Sequence, residues 1–218
     1  MKHLVHISPL TESDRALVDD YFLSHSKVLE TYADLLLWWN SKVNLLSRNV
    51  SRETIVEHIR HSLWVLKSDW VNNARTVLDT GTGGGLPGIP VALTRTGLEM
   101  VLNDIVQKKG MVLKDLLPKL ELTERVRVQI KDVAEINLNP DVVITKHAFK
   151  IGDLLHRVDK ETCSRFVFLK GYTEVEKEIK QVEEVLSVRV YKLDEINTNP
   201  FYEGKGLVEI ERIGEVAK

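Results

Sequence analysis

Between Leu78 and Leu93 the chain reads LDTGTGGGLPGIPVAL, five glycines and two prolines set between apolar runs. Glycine in regular structure costs stability because its unfolded backbone is so free. A cluster therefore marks a corner where the main chain needs unusual dihedrals or must come close to something. The flanks place that corner. RTVLDT before it has the texture of a strand ending at Asp79, and Pro87 and Pro90 after it suit the first turn of a helix, where a missing amide hydrogen leaves no bond unmade. A loop running from the carboxyl end of a strand into a helix is where open α/β sheets bind ligands.

The rest of the chain supports such a sheet. RTVLDT, LEMVLND, RVRVQI, DVVITK and RFVFLK read as strands, and VQKKGMVLKDLLPKL and TEVEKEIKQVEEVL as helices, the latter with Val175, Ile179, Val182 and Leu186 at helical spacing. This alternation predicts a parallel sheet covered on both faces. SVRVYKLDEI and LVEIERI, around the turn-rich TNPFYEGKG, predict an antiparallel hairpin at the C-terminal end. The first 70 residues read as helical. Val28, Tyr32, Leu35, Leu36 and Trp39 form one apolar face, and a second helix opens at Ser51 as N-cap with Ile55, Ile59, Leu63 and Leu66 on one side. The expected division is a helical cap over 1–70 packed on a core over 71–218, with VNNAR as the joint.

With 218 residues, 43% hydrophobic and 28% charged, the composition is that of a soluble globular protein. A formal charge of −2 excludes a protein that coats nucleic acid nonspecifically and leaves room for a local basic patch. No apolar stretch approaches the roughly 20 residues that span a bilayer. The opening MKHLVHISPLTESDR has no long apolar region, so no secretory signal and a cytoplasmic location are expected. The single cysteine, Cys163, excludes an internal disulfide and is expected to be a buried thiol without chemistry.

Three ligand classes compete for the glycine corner. A phosphate-gripping P-loop needs Lys followed by Ser or Thr after its last glycine, and Leu86-Pro87 follow Gly85 instead. A dinucleotide fingerprint would place its third glycine where Leu86 stands. The pattern that fits is acid-x-Gly-x-Gly-x-Gly, Asp79 through Gly81, Gly83 and Gly85, which resembles the motif of S-adenosylmethionine-dependent methyltransferases. There the backbone must approach a zwitterionic methionine end, with Asp79 helping to neutralise its ammonium. Asp104, at the end of the next strand, lies at the distance where an acid receives ribose hydroxyls, although an ordinary helix N-cap, or Asn103 in either role, would read the same way. Asp132, Val133 and Ala134 fall where backbone and apolar contacts would hold an adenine. A tight turn with no ligand is the bland alternative.

The string Gly81-Thr-Gly-Gly-Gly-Leu-Pro-Gly-Ile-Pro90 resembles the signature of the bacterial 16S rRNA guanine-N7 methyltransferase G family, also called glucose-inhibited division protein B. Matches in the same order span most of the chain: Trp39-Asn40, Asn44-Leu45, His58-Ile59 with Ser62, Asp104, Ala148-Phe149 and Leu169-Lys170-Gly171. The resemblance implies an α/β, class I S-adenosylmethionine-dependent methyltransferase with a Rossmann-like sheet. It also implies S-adenosyl-L-methionine as cofactor, and 16S ribosomal RNA in the small ribosomal subunit or its precursor as partner. By position, Gly81 and Leu86 would contact the cofactor and Val133 with Ala134 would flank its adenine. Two departures stand out. The family usually reads Ser-Arg-Ala after the fourth strand, where this chain has Lys146-His147-Ala148, so His147 replaces a cofactor-adjacent arginine. An aspartate of the His-Ile-Leu-Asp-Ser pattern is His61 here.

Guanine N7 bears no proton, so its methylation needs alignment rather than a general base, and no catalytic acid-base residue and no metal are expected. Asn199-Pro200-Phe201-Tyr202 resembles an amine-gripping motif of adenine methylation, but its place in the last hairpin reads as a turn. Cys163 is badly placed for pyrimidine C5 chemistry. Candidate RNA contacts are Arg48, Arg60, Lys146, His147, Lys170 and Lys205. The alternatives are a methyltransferase of the same fold acting on another RNA, a protein or a small molecule, and a ribosome-binding factor without catalysis.

Overall fold

In the computed structural model, which describes residues 3–47 and 49–214, strand β1 (Leu4–Ile7) precedes helices α1 (Glu12–Ser24), α2 (Ser26–Asn40), α3 (Arg52–Leu63) and the single turn α4 (Asp69–Asn72). Strands and helices then alternate: β2 (Thr76–Thr80), α5 (Gly88–Thr94), β3 (Glu99–Asn103), α6 (Gln107–Lys119), β4 (Val126–Gln129), β5 (Val142–Lys146), α7 (Ile151–Arg157), β6 (Arg165–Gly171) and α8 (Val175–Ile179). The hairpin β7 (Val185–Lys192) and β8 (Lys205–Gly214) follows. The eight strands form one sheet in the order β1-β7-β8-β6-β5-β2-β3-β4. Strands β2 to β6 pair in parallel, and β8 lies antiparallel to both β6 and β7.

Residues two apart on a strand share a face, and both faces are apolar. Val77, Met100, Leu102, Val142 and Ile144 meet α1, α2, α3, α5 and α6 in one core, whereas Leu78, Val101, Val143, Phe166 and Phe168 meet α7 and α8 in the other. Strand order reverses between β2 and β5, because β3 and β4 are laid down on one side of β2 and the chain returns to the other. That reversal opens a crevice at the carboxyl ends of β2 and β5.

Three expectations are corrected. The first 70 residues are not wholly helical: Leu4–Ile7 pairs in parallel with β7, and all four side chains are exposed, so no buried periodicity marks the strand. The helix expected across Val175 to Leu186 ends at Ile179. Leu186, Val188 and Val190 alternate inward on β7, and pairing with β8 prevails over helical spacing there. On α2 the buried face is Leu29, Tyr32, Ala33, Leu36 and Asn40, with Val28, Leu35 and Trp39 on its flank. Ser51 does cap α3, accepting from the Thr54 amide.

The helices of the N-terminal part hold the glycine corner from outside. Asn40 Oδ1 accepts from the Leu45 and Leu46 amides while its Nδ2 donates to the Ser47 carbonyl, so one buried amide shapes the loop after α2. That loop sets Leu45 against the corner: a Cβ on Gly84 would stand 2.6 Å from Leu36 Cδ1 and 3.4 Å from Leu45 Cβ. The buried Tyr32 hydroxyl donates to the Gly84 carbonyl at 2.9 Å. Tyr32→Phe keeps the ring and removes this donor, so urea unfolding is expected to show a loss of about 1–2 kcal/mol with an unchanged m-value.

Candidate functional site

The glycine corner is clasped by the aspartate that precedes it. Asp79 Oδ2 accepts from Thr82 Oγ1 at 2.5 Å and from the Gly88 amide at 2.7 Å, joining the start of the loop to the start of α5. Asp79 is fully buried and its Oδ1 has no partner. Burial pushes the carboxyl up to about 7 against the pull of those two bonds. Gly81, at φ +70°, satisfies two constraints at once: its dihedral is left-handed, and a Cβ there would stand 2.3 Å from Ala148 Cβ, where the turns after β2 and β5 meet.

Beyond Gly81 lies a cavity of about 680 Å³, bounded by the end of β3 (Asn103 to Val106 and Lys109), by Asp132 and Val133 after β4, and by Ala148 and Phe149 after β5. Asp153, His156 and Arg157 of α7 close it. Its volume lies in the range of cofactor sites. Asp104 is aimed by its own backbone neighbours: Oδ2 accepts from the Gly83 amide at 3.0 Å and Oδ1 from the Val106 amide at 2.9 Å, with Lys109 Nζ 3.5 Å away. Each carboxylate oxygen keeps a lone pair for a ligand. The residue capping α6 is Val106, and the Asn103 amide is occupied by Thr80, Gln129 and Lys131.

On the other side of Ala148 and Phe149 is a smaller groove of about 270 Å³ that shares those two residues and adds His147, Lys150, Lys170 and Gly171. Behind it the β5 terminus is knitted to α3. Lys146 Nζ donates to the His58 carbonyl at 2.8 Å and to Ser62 Oγ at 3.4 Å, and lies 3.3 Å from His58 Nδ1. Phe201, on a 3-10 turn capped by Asn199, stacks edge-on against His58 at 5.0 Å. Burial, and then Lys205, brings Lys146 down to about 7. Burial and Lys146 hold His58 at about 3 and His147 at about 4, and keep His61 well below the usual imidazole range. All three imidazoles are neutral at pH 7.

The family model for rRNA small subunit methyltransferase G matches residues 25–200. The chain belongs to that family. Among its relatives is the ribosomal RNA small subunit methyltransferase G of Christiangramia forsetii, 29% identical over 201 residues and covering 88% of this chain and 91% of the relative. The Clostridium novyi protein of the same name is 30% identical, covering 76% and 70%. The fold is that of class I methyltransferases: an O-methyltransferase of Bacillus cereus, solved in complex with SAH, superimposes with a TM-score of 0.57 over 84% of this chain and 90% of that one at 15% identity.

Within this methyltransferase G chain the cofactor candidates separate into two groups. Gly81, Asp104 and Val133 line the cavity. Asp79, Gly83, Gly85 and Leu86 do not: Asp79 clasps the loop, the Gly83 amide holds Asp104, Gly85 packs on Ile89, and Leu86 is buried in the core under the helices. Ala134 is exposed, and its amide is taken by the Asp132 side chain at 3.0 Å. His147, at φ +55°, lines the adjoining groove. Sequence reasoning missed Lys109 and the α7 trio Asp153, His156 and Arg157, whose spacing of three and four residues signals one helix face.

The structure places the RNA candidates as follows. Lys170 is buried and paired with Glu178, because the turn after β6 folds α8 back over it. Lys146 is buried and occupied by α3. Arg60 pairs with Asp19 and stacks on Phe22, stapling α3 to α1. Lys205 lies over the Phe201 ring at 4.2 Å and donates to the Phe201 carbonyl. Arg48 lies outside the described residues. The two family departures are neighbours in space: the His61 and His147 rings lie 5.8 Å apart, and Lys146 donates to Ser62 beside His61. Replacing an aspartate and an arginine together by two neutral imidazoles leaves the local charge balance unchanged.

Among the described residues no helix is long and apolar enough to cross a membrane, and no group of three His, Cys, Asp or Glu could hold a metal ion. The low pKa of Lys146 links stability to pH. From about pH 7 up to the ordinary lysine value of about 10.4 the unfolded chain holds a proton that the fold does not, so this group makes stability rise with pH across that window and adds no further slope below it. Urea unfolding at pH 7 and pH 9 is expected to show wild type gaining on Lys146→Met by on the order of 2 kcal/mol.

Proposed function

We propose that this chain methylates N7 of a guanine in 16S ribosomal RNA, as part of the small ribosomal subunit or its precursor in the cytoplasm, using S-adenosyl-L-methionine. The cavity at the β2–β5 reversal, in a chain of the methyltransferase G family, carries this reading. Its walls fit the cofactor. Asp104, oriented by two backbone amides, presents acceptors for the ribose hydroxyls; Val133 offers an apolar surface to the adenine beside Ala134; and Gly81 removes a side chain from the cofactor's path. Asp79 acts one step back, by holding the loop in shape, and its unpartnered Oδ1 keeps a buried acceptor behind the methionine end.

When bound, S-adenosylmethionine supplies an electrophilic methyl group carried on a sulfonium. The residues of this chain then have to place an unprotonated N7 in line with that methyl at roughly 3–3.5 Å, which no general base assists. The groove beyond Ala148 and Phe149 adjoins the cavity and suits the incoming base. Methylation makes the purine cationic, so a wall whose imidazoles are neutral opposes that charge less than an arginine would. His147 stands in that wall with Lys150 and the Lys170–Glu178 pair, in place of the family's arginine, and it serves by being uncharged.

Two measurements bear on this reading. Mapping modified guanines in small-subunit rRNA from cells lacking the chain, and from the same cells after its return, is expected to show one N7-methylguanine lost and regained; an unchanged map overturns the reading. Asp104→Ala is expected to weaken S-adenosylmethionine binding by about 10- to 100-fold in calorimetry, the loss of one charged hydrogen-bonding group.

A further inference from the structure

One indole stands out in the open. Trp38, near the end of α2, is 54% exposed, whereas Trp64 is buried and Trp39 and Trp70 are half-buried. Its position is firm. The Trp39 ring packs edge-on against it, centroids 4.8 Å apart at 81°, and Trp39 Nε1 donates to Asp115 Oδ2 on α6 at 2.9 Å. Lys42 Nζ sits 5.9 Å from the Trp38 ring centroid.

Asp115 leads from this indole pair toward the cofactor cavity. Its own charge is taken up by Lys119 one turn on. One and two turns back along the same face are Met111, 62% exposed, and the exposed Lys108, with Lys114 exposed beside them. The helix starts just after Val106, and Val106 and Ile105 are both exposed and both line the cavity. From Asp115 to Val106 the helical rise is about 13 Å, within reach of a short run of unpaired nucleotides. Among the described residues Lys42, Lys108 and Lys114 have no carboxylate at ion-pair distance, in contrast to Lys170 and Arg60. An exposed aromatic plane with one lysine beside it and unpaired lysines on the neighbouring helix is the composition that single-stranded nucleic acid requires, with stacking for any base and charge for the phosphates. A protein interface would instead deplete charge at its centre.

We propose that Trp38, with Lys42, Lys108 and Lys114, forms a platform on which an unpaired base flanking the target guanine stacks, its phosphates lying along the lysines toward the cavity mouth. The platform rests on the reading of the chain as an rRNA methyltransferase, and it names the strand-gripping surface of that enzyme.

The test uses the full chain with Trp38→Ala, Trp38→Phe and the Lys42→Gln/Lys108→Gln/Lys114→Gln triple variant, each checked by thermal melting. The probes are an unstructured oligoribonucleotide and small-subunit rRNA from cells lacking the chain. In wild type the oligoribonucleotide is expected to quench tryptophan fluorescence. Trp38→Phe loses most of the quench yet binds, and Trp38→Ala binds about tenfold more weakly. The triple variant lowers the slope of log K against log salt by about 2, or about 0.7 per lysine. Cofactor affinity stays unchanged in all three. Wild-type binding without quench, or Trp38→Ala binding as tightly as wild type, overturns the platform. So does a Trp38→Ala defect seen on whole subunits but absent on naked RNA, which would make the face a protein contact. Failure of wild type to methylate the rRNA sinks the functional reading instead, and a Trp38-dependent quench would survive it.

Discussion

A single buried carboxylate oxygen organises this molecule's ligand edge. Asp79 Oδ2 gathers the Thr82 hydroxyl and the Gly88 amide, so nine residues of conformationally free backbone are closed by two bonds into one shape. That shape places the Gly83 amide on Asp104 and brings Gly81 against Ala148, and the cavity follows from both. A carboxyl held near 7 by burial accepts these bonds through Oδ2 whether or not it carries a proton. The clasp therefore survives across neutral pH, where a loop held by a surface ion pair would be sensitive to salt.

The N-terminal helices are part of the same construction rather than an appendage to it. Tyr32 bonds the corner, Leu36 and Leu45 pack on it, and Asn40 shapes the loop that delivers Leu45. Further along, α3 receives the β5 terminus through Lys146 and the backbone of His58. Lys146 and Lys170, at the strand ends beside the site, are thus spent on holding protein to protein. Lys42, just beyond α2, and Lys108 and Lys114 on α6 are exposed and carry no such bond.

How much of this could be read from residues alone varies with the range of the interaction. The strand ending at Asp79, the glycine turn and the helix after it are local, and the spacing of Asp104 follows from one strand-helix-strand unit. The lysines were harder to place. Lys146 and Lys170 end strands at the ligand edge, where a charge reads as free. Their partners come from positions 58, 62 and 178, and only the folded chain sets those groups beside them. The segment from Val175 to Leu186 failed differently: Leu186 closes the helical spacing and also opens the alternating run Leu186, Val188 and Val190, and cross-strand pairing with β8 decided between them.

The sequence by itself determined the class of sheet, the turn that opens its ligand edge and the family resemblance, because backbone dihedrals and side-chain periodicity act between near neighbours. Tertiary structure decided which charges are silent and which are exposed, which glycines face a cavity and which face a helix, and that His61 and His147 lie side by side. Those outcomes depend on desolvation and on contacts between distant segments. Neither exists until the chain is packed.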